Sequence, residues 1–222
     1  MTLTLRPTDA LVVIDMQRDF LPSTPEHRAA LPVAEGDAII PGINAAAGRF
    51  QHVIVTQDWH PRGHISFASA HSGMQPYTDA VELPYGTQTL WPDHCVQGTP
   101  GAEIDPRLDL QHAELILRKG FRREIDSYSS FLENDHATPT GLAGYLRERQ
   151  LTRLFLCGVA YDFCVGFSAI DGTKLGFECL VLEDLSRAVG LPPTPDRAAT
   201  VDHINSYFAY SKIRRIGTAD LA

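Results

Sequence analysis

Residues 153–175 read RLFLCGVAYDFCVGFSAIDGTKL. Residues 153–157 have the composition of a buried strand, and 165–175 repeat apolar side chains at helical spacing, so a strand passes through a short turn into a helix. The same alternation extends along the chain. Strands are expected at 10–14, 52–56, 115–117, 153–157, 179–182 and 213–216, and helices at 38–50, 141–149, 165–175 and 195–208. This order predicts an α/β domain: a doubly wound, mostly parallel six-stranded sheet with helices on both faces. Sites in such sheets gather at the carboxyl ends of the strands, so chemistry is sought just after each strand. Two segments break the rhythm: 21–36, and 59–113, which is rich in Gly, Pro, His and Ser and too long for an idle loop. The expectation is one domain over 1–222 with a loop insertion at about 59–113; three prolines in 191–195 make a stiff connection.

With 222 residues, 44% of them hydrophobic, the chain can bury one sizeable core, and intrinsic disorder is excluded. Nineteen Lys and Arg against 27 Asp and Glu leave a net charge of −8, which offers no basic footprint for nucleic acid. No apolar run approaches the roughly 18 to 20 residues of a membrane span, and the opening MTLTLRPTDA lacks the layout of a signal peptide. A cytoplasmic protein with no membrane or nucleic-acid partner is expected, while a homo-oligomer stays open. Four cysteines are too few for a disulfide scaffold, so they are read as thiols.

The strand ALVVI ends on Asp15, a general base if desolvated or a turn cap if not. The strand HVIVT leads to Asp58 and His60, with His64 and His94 following. An Asp and a His two apart in extended chain project to the same side, and a third imidazole could complete a metal site for Zn²⁺, Fe²⁺ or Mn²⁺. Five of nine histidines fall at 52, 60, 64, 71 and 94, which favours that reading over scattered surface residues. Lys119 follows the strand at 115–117, as a solvated cap or as a charge favouring a thiolate. Cys164 opens a helix, where backbone N–H groups lower a thiol pKa and can cradle an oxyanion. Cys157 and Cys179 read as packed, and Cys95 stays undecided beside His94.

The blocks ALVVIDMQRDFLP, VTQDWHPRGHISFAS, LWPDHCVQGTPGAE, LRKGFRREIDSYSSF and CGVAYDFCVGFSAIDG, in this order, resemble the isochorismatase-like cysteine hydrolases, specifically the nicotinamidase branch. The resemblance covers nearly the whole chain. It implies a triad of Asp15, Lys119 and Cys164, and one divalent metal, zinc first, held by Asp58, His60 and His94. It further implies oxyanion donors from the backbone of Ala160 and Cys164, and a cis peptide at Val159–Ala160. Phe20 and Trp91 look like walls for a substrate ring, or ordinary core. Tyr161 stands where a threonine is more usual, and is placed with Ala160 at the substrate. His64 is left without a role.

The implied reaction is hydrolysis of nicotinamide to nicotinic acid and ammonia through a thioester, with pyrazinamide also cleaved, in recycling of nicotinamide toward NAD. The rivals are a related small-amide hydrolase on the same scaffold and a catalytically silent nicotinamide-binding protein.

Overall fold

The computed structural model describes residues 2–194 and 198–222. In chain order the main elements are β1 (Asp9–Ile14), α1 (Ile40–Ala47), β2 (His52–Asp58), β3 (Ala80–Leu83), β4 (Gly86–Thr89), β5 (Ala113–Lys119), α2 (Leu142–Glu148), β6 (Arg153–Val159), α3 (Gly166–Lys174), β7 (Glu178–Arg187), α4 (Thr200–Ser211) and β8 (Arg214–Ile216). Six of the strands form one sheet in the order β5-β2-β1-β6-β7-β8, every neighbouring pair parallel. The chain builds outward from β1 through β2 to β5, then returns to β6 on the other side of β1. The order therefore reverses between β1 and β6, and a crevice is expected at their carboxyl ends.

All six residues of β1 are buried, because the strand has a helix-covered layer on each face. Alternate side chains feed opposite cores: Leu11 and Val13 join Ile40, Ile43 and Ala47 of α1, whereas Ala10, Val12 and Ile14 pack with Leu146 of α2, Ile170 of α3 and Phe208 of α4. A strand buried on both faces reads as a continuous apolar run, which is why β1 and β6 were legible. At the β1–β6 junction Gly158 has φ +111°, and a Cβ there would fall 2.2 Å from the Ile14 carbonyl oxygen, so only glycine lets the two strands close up.

The six expected strands all appear, most of them longer by one to a few residues. The stretch read as loop at 59–113 also contains the antiparallel hairpin β3–β4, which pairs with no strand of the main sheet. Its strands are short and partly exposed, so they carry too few apolar residues to be read from the sequence. The first three residues of the helix expected at 195–208 lie outside the described residues, and α4 begins at Thr200. Among the described residues no helix is long and apolar enough to cross a membrane.

At the amino edge of the sheet, Arg153 opens β6 beside Asp9, which opens β1. Arg153 donates from Nε to Asp9 Oδ1 at 2.8 Å and from Nη2 to Oδ2 at 2.5 Å, with both side chains almost wholly buried. Breaking a buried pair leaves a charge without its partner. Asp9→Ala is expected to lower stability by about 3 to 5 kcal/mol in urea titrations. The groups at the crevice should keep their arrangement, because the pair lies at the opposite edge of the sheet.

Candidate active site

Four neighbouring strands end at the crevice, and each delivers one charged or nucleophilic group. Asp15 follows β1 in a left-handed conformation, φ 53°. Asp58 closes β2, Lys119 closes β5, and Cys164 lies in the π-helical turn Tyr161–Val165 between β6 and α3. That turn is held by the Val165 N–H donating to the Ala160 carbonyl at 3.0 Å, a five-residue step often found at functional sites. The Val159–Ala160 peptide before it is cis.

Lys119 is 1% exposed and sits among the other three. Its Nζ lies 2.9 Å from Asp15 Oδ2, 2.5 Å from Asp58 Oδ1, 2.8 Å from the Ser127 carbonyl and 3.5 Å from Cys164 Sγ. Burial disfavours the ammonium, but Asp15, Asp58 and Cys164 outweigh it and push its pKa well up, so it stays charged. Asp15 Oδ1 accepts a hydrogen bond from Thr56 Oγ1 at 2.6 Å. Its Oδ2 accepts no well-aligned hydrogen bond despite the close ammonium. Burial raises the Asp15 pKa, with Lys119 opposing and Asp58 adding to the rise.

Placement at a helix start predicts a lowered thiol pKa for Cys164, and the structure reverses the sign. Burial pushes this thiol well up, and the nearby Lys119 only partly offsets it. Asp15 and Cys164 bring ligand atoms within 4.8 Å of each other, so a carboxylate stands within reach of the thiol.

Asp58, His60 and His94, all buried, bring one donor atom each within 4.8 Å of the others. Asp58 Oδ2 is 3.6 Å from His60 Nε2. Both imidazoles turn Nδ1 to a backbone carbonyl, His60 to Gly120 at 2.8 Å and His94 to Pro92 at 2.7 Å, which leaves Nε2 as the free donor. This is the arrangement by which outer partners orient metal-binding histidines. Gly120 has φ +65°, and a Cβ there would come within 2.5 Å of the His60 ring. Gln17 pins Asp58 by accepting its N–H at 2.7 Å and donating to its carbonyl at 2.8 Å. The carboxylate and two imidazoles thus suit a divalent ion.

His64 stacks behind His60 at 4.2 Å between ring centroids. Its Nε2 faces the carbonyls of Arg122 and Ile125, and its Nδ1 meets Ser66 Oγ at 2.7 Å, so both ring nitrogens are engaged. Burial, then the charge of His60, hold its pKa down at about 4, and the ring is neutral.

Part of this cluster opens onto a cleft of about 360 Å³, counting its open mouth. Its walls include Phe20, Trp91, Phe163 and Tyr128, and Asp58, His94, Asp126, Ala160 and Cys164 reach it. The Trp91 indole donates to Tyr128 Oη at 3.0 Å, and the Phe163 ring stands edge-on to Trp91 at 4.9 Å. Tyr161 is a correction. Its ring packs edge-on to Phe208 and its hydroxyl bonds Asn205 at 2.6 Å, so the side chain lies in the α3–α4 layer, away from the cleft. Cys95 also resolves: it is fully buried, its N–H donates to Asp19, and burial pushes its thiol well up, so it is packing.

The isochorismatase domain model matches residues 9–211. The chain belongs to the isochorismatase-domain family. Within that family it is 47% identical to the nicotinamidase of Acinetobacter baylyi over 212 residues, covering 96% of this chain and 94% of the relative. A solved structure of an Acinetobacter baumanii nicotinamidase and pyrazinamidase superposes with a TM-score of 0.90 at 45% identity, covering 97% of this chain and 98% of that one. The Pyrococcus horikoshii pyrazinamidase in complex with zinc gives a TM-score of 0.71 at 33% identity, covering 95% and 99%.

Against this isochorismatase-domain background, the sequence reading missed Thr56, Gln17, Asp126, Tyr128 and Phe163. Thr56 lies inside a strand and Gln17 in a turn, and neither type signals chemistry by itself. Asp126 and Tyr128 lie in a block quoted only for its lysine, and Phe163 reads as core beside the nucleophile. Lys119→Met tests the buried charge cluster: it should lower stability by about 3 to 5 kcal/mol in denaturant titration. An unchanged midpoint would mean that Asp15 and Asp58 do not depend on the ammonium.

Proposed function

We propose that this chain is a metal-dependent cysteine amidohydrolase that converts nicotinamide to nicotinic acid and ammonia, and cleaves pyrazinamide as well. The observation that carries the reading is the meeting, in one aromatic-walled cleft, of the Cys164 thiol, the Asp15–Lys119 pair and the Asp58–His60–His94 donor set. The nicotinamidase names of the relatives support the substrate.

In the proposed reaction Asp15 takes the Cys164 proton, and the sulfur attacks the carboxamide carbon. The backbone N–H groups of Ala160 and Cys164 hold the developing oxyanion, where a donor of this kind is worth about 2.7 to 4 kcal/mol. Lys119 steadies the negative charge on Asp15 and sulfur. The C–N bond then breaks as Asp15 returns its proton to the departing ammonia, leaving a thioester. Asp15 next removes a proton from water, the hydroxyl adds to the thioester carbon, and the C–S bond breaks to release the acid and restore the thiol. Phe20, Trp91 and Phe163 enclose the ring. A divalent ion held by Asp58, His60 and His94 would supply a Lewis-acid contact for a ring nitrogen and so orient the amide. Zinc is the ion we favour, supported by the zinc-bound Pyrococcus pyrazinamidase, and the donor set also accepts Fe²⁺ or Mn²⁺.

Ammonia release from nicotinamide by the purified protein tests the assignment. Cys164→Ala is expected to abolish release while retaining bound metal, and full activity in that variant would overturn the covalent scheme. His94→Ala should lower metal content and substrate affinity together. Prior chelation should suppress release and added metal restore it; a chelated protein with undiminished turnover would remove the ion from the reaction.

A further inference from the structure

The hairpin β3–β4 stands apart from the main sheet, yet it sends one buried side chain, Gln88, toward the cleft. Gln88 Nε2 lies 2.9 Å from Asp126 Oδ2 and 2.8 Å from the Thr89 carbonyl, and its Oε1 accepts from Asn134 Nδ2 at 3.1 Å. Asp126 is 3% exposed and lines the cleft. Its Oδ1 accepts the Ser127 N–H at 2.8 Å and lies 4.0 Å from His60 Nε2, the nitrogen left free by the bond from Nδ1 to Gly120.

A buried carboxylate needs a compensating charge. Among the described residues no lysine or arginine forms an ion pair with Asp126. Asp15, Asp58 and Asp126 bring three carboxylates to this crevice, against the ammonium of Lys119 and the imidazole of His60, whose Nε2 faces both Asp58 and Asp126 and would exchange a proton for a bound cation. At 4.0 Å from His60 Nε2, Asp126 lies slightly farther out than Asp58, whose Oδ2 is 3.6 Å from the same atom.

We propose that Asp126 is a positioning acid of the metal site: from just outside the Asp58–His60–His94 set its negative charge raises the affinity of that set for a divalent cation. The inference rests on the metal assignment above.

The test is Zn²⁺ affinity of the purified full chain, measured by competition with a chelator, for wild type, Asp126→Asn and Gln88→Ala. Asn keeps the size and the acceptor for Ser127 but removes the charge and the acceptor for Gln88 Nε2; Ala at 88 keeps the charge and removes that same hydrogen bond, and so controls for its loss. Asp126→Asn is expected to weaken Zn²⁺ binding about 10- to 100-fold, the range seen when partners of metal ligands are altered, and Gln88→Ala, which keeps the charge, to weaken it clearly less. Zn²⁺ affinity of Asp126→Asn equal to wild type would overturn the proposal. So would an equal loss in both variants, because shape and not charge would then be at work. Wild-type protein that binds no Zn²⁺ would overturn the metal assignment together with this inference, whereas Cys164-dependent ammonia release reports separately on the amidase reading.

Discussion

A lysine ammonium removed from water must be met by negative charge and hydrogen-bond acceptors, and the crevice is arranged around that demand for Lys119. Asp15 from the end of β1, Asp58 from the end of β2 and the Ser127 carbonyl from the loop after β5 converge on one nitrogen, with the Cys164 sulfur at 3.5 Å. Each contact ties a different strand end to the same point. The ammonium also keeps two carboxylates close together in a dry site, where alone they would repel each other. One buried charge thus links the Asp15 carboxylate, the Cys164 thiol and Asp58 of the Asp58–His60–His94 donor set.

The surrounding loops fix what the strands deliver. Asp19 Oδ2 accepts the Cys95 N–H at 2.8 Å, and Oδ1 accepts the Ala30 N–H at 3.2 Å and faces His27 at 3.0 Å. The turn carrying Phe20 is thereby fastened both to the segment before Leu31 and to the turn carrying His94. Asp162, within the turn that carries Cys164, accepts the N–H groups of Val189 and Gly190 and the Thr200 hydroxyl, and so sets Val189 against the cleft and the start of α4 beside it. Buried carboxylates at 19 and 162 therefore act as fasteners for loops that no strand pairing would hold.

The strands were legible because a parallel sheet covered on both faces requires continuous apolar runs, as in 10–14 and 153–157. Asp15, Asp58, Lys119 and Cys164 were legible because each stands at or just beyond such a run. The hairpin was not, since partly exposed four-residue strands are stabilised by each other and by Gln88 and not by an apolar face. Tyr161 misled for a related reason: its neighbours in sequence belong to the cleft, but the π-helical turn directs its side chain into the opposite layer, against Phe208 and Asn205.

By itself the sequence determined the order of strands and helices, the family blocks, and the four groups at strand ends, because local composition and position along the chain suffice for these. Only the tertiary structure decided the protonation of Cys164, the neutral and engaged state of His64, and the presence of Asp126 beside His60. These depend on desolvation and on groups that folding brings from distant positions, Lys119 from 45 residues away for Cys164 and Arg122 from 58 for His64, distances along the chain over which no local pattern survives. Burial reversed the sign expected for the cysteine, and the meeting of β1, β2, β5 and β6 at one edge turned separate polar residues into a single electrostatic unit.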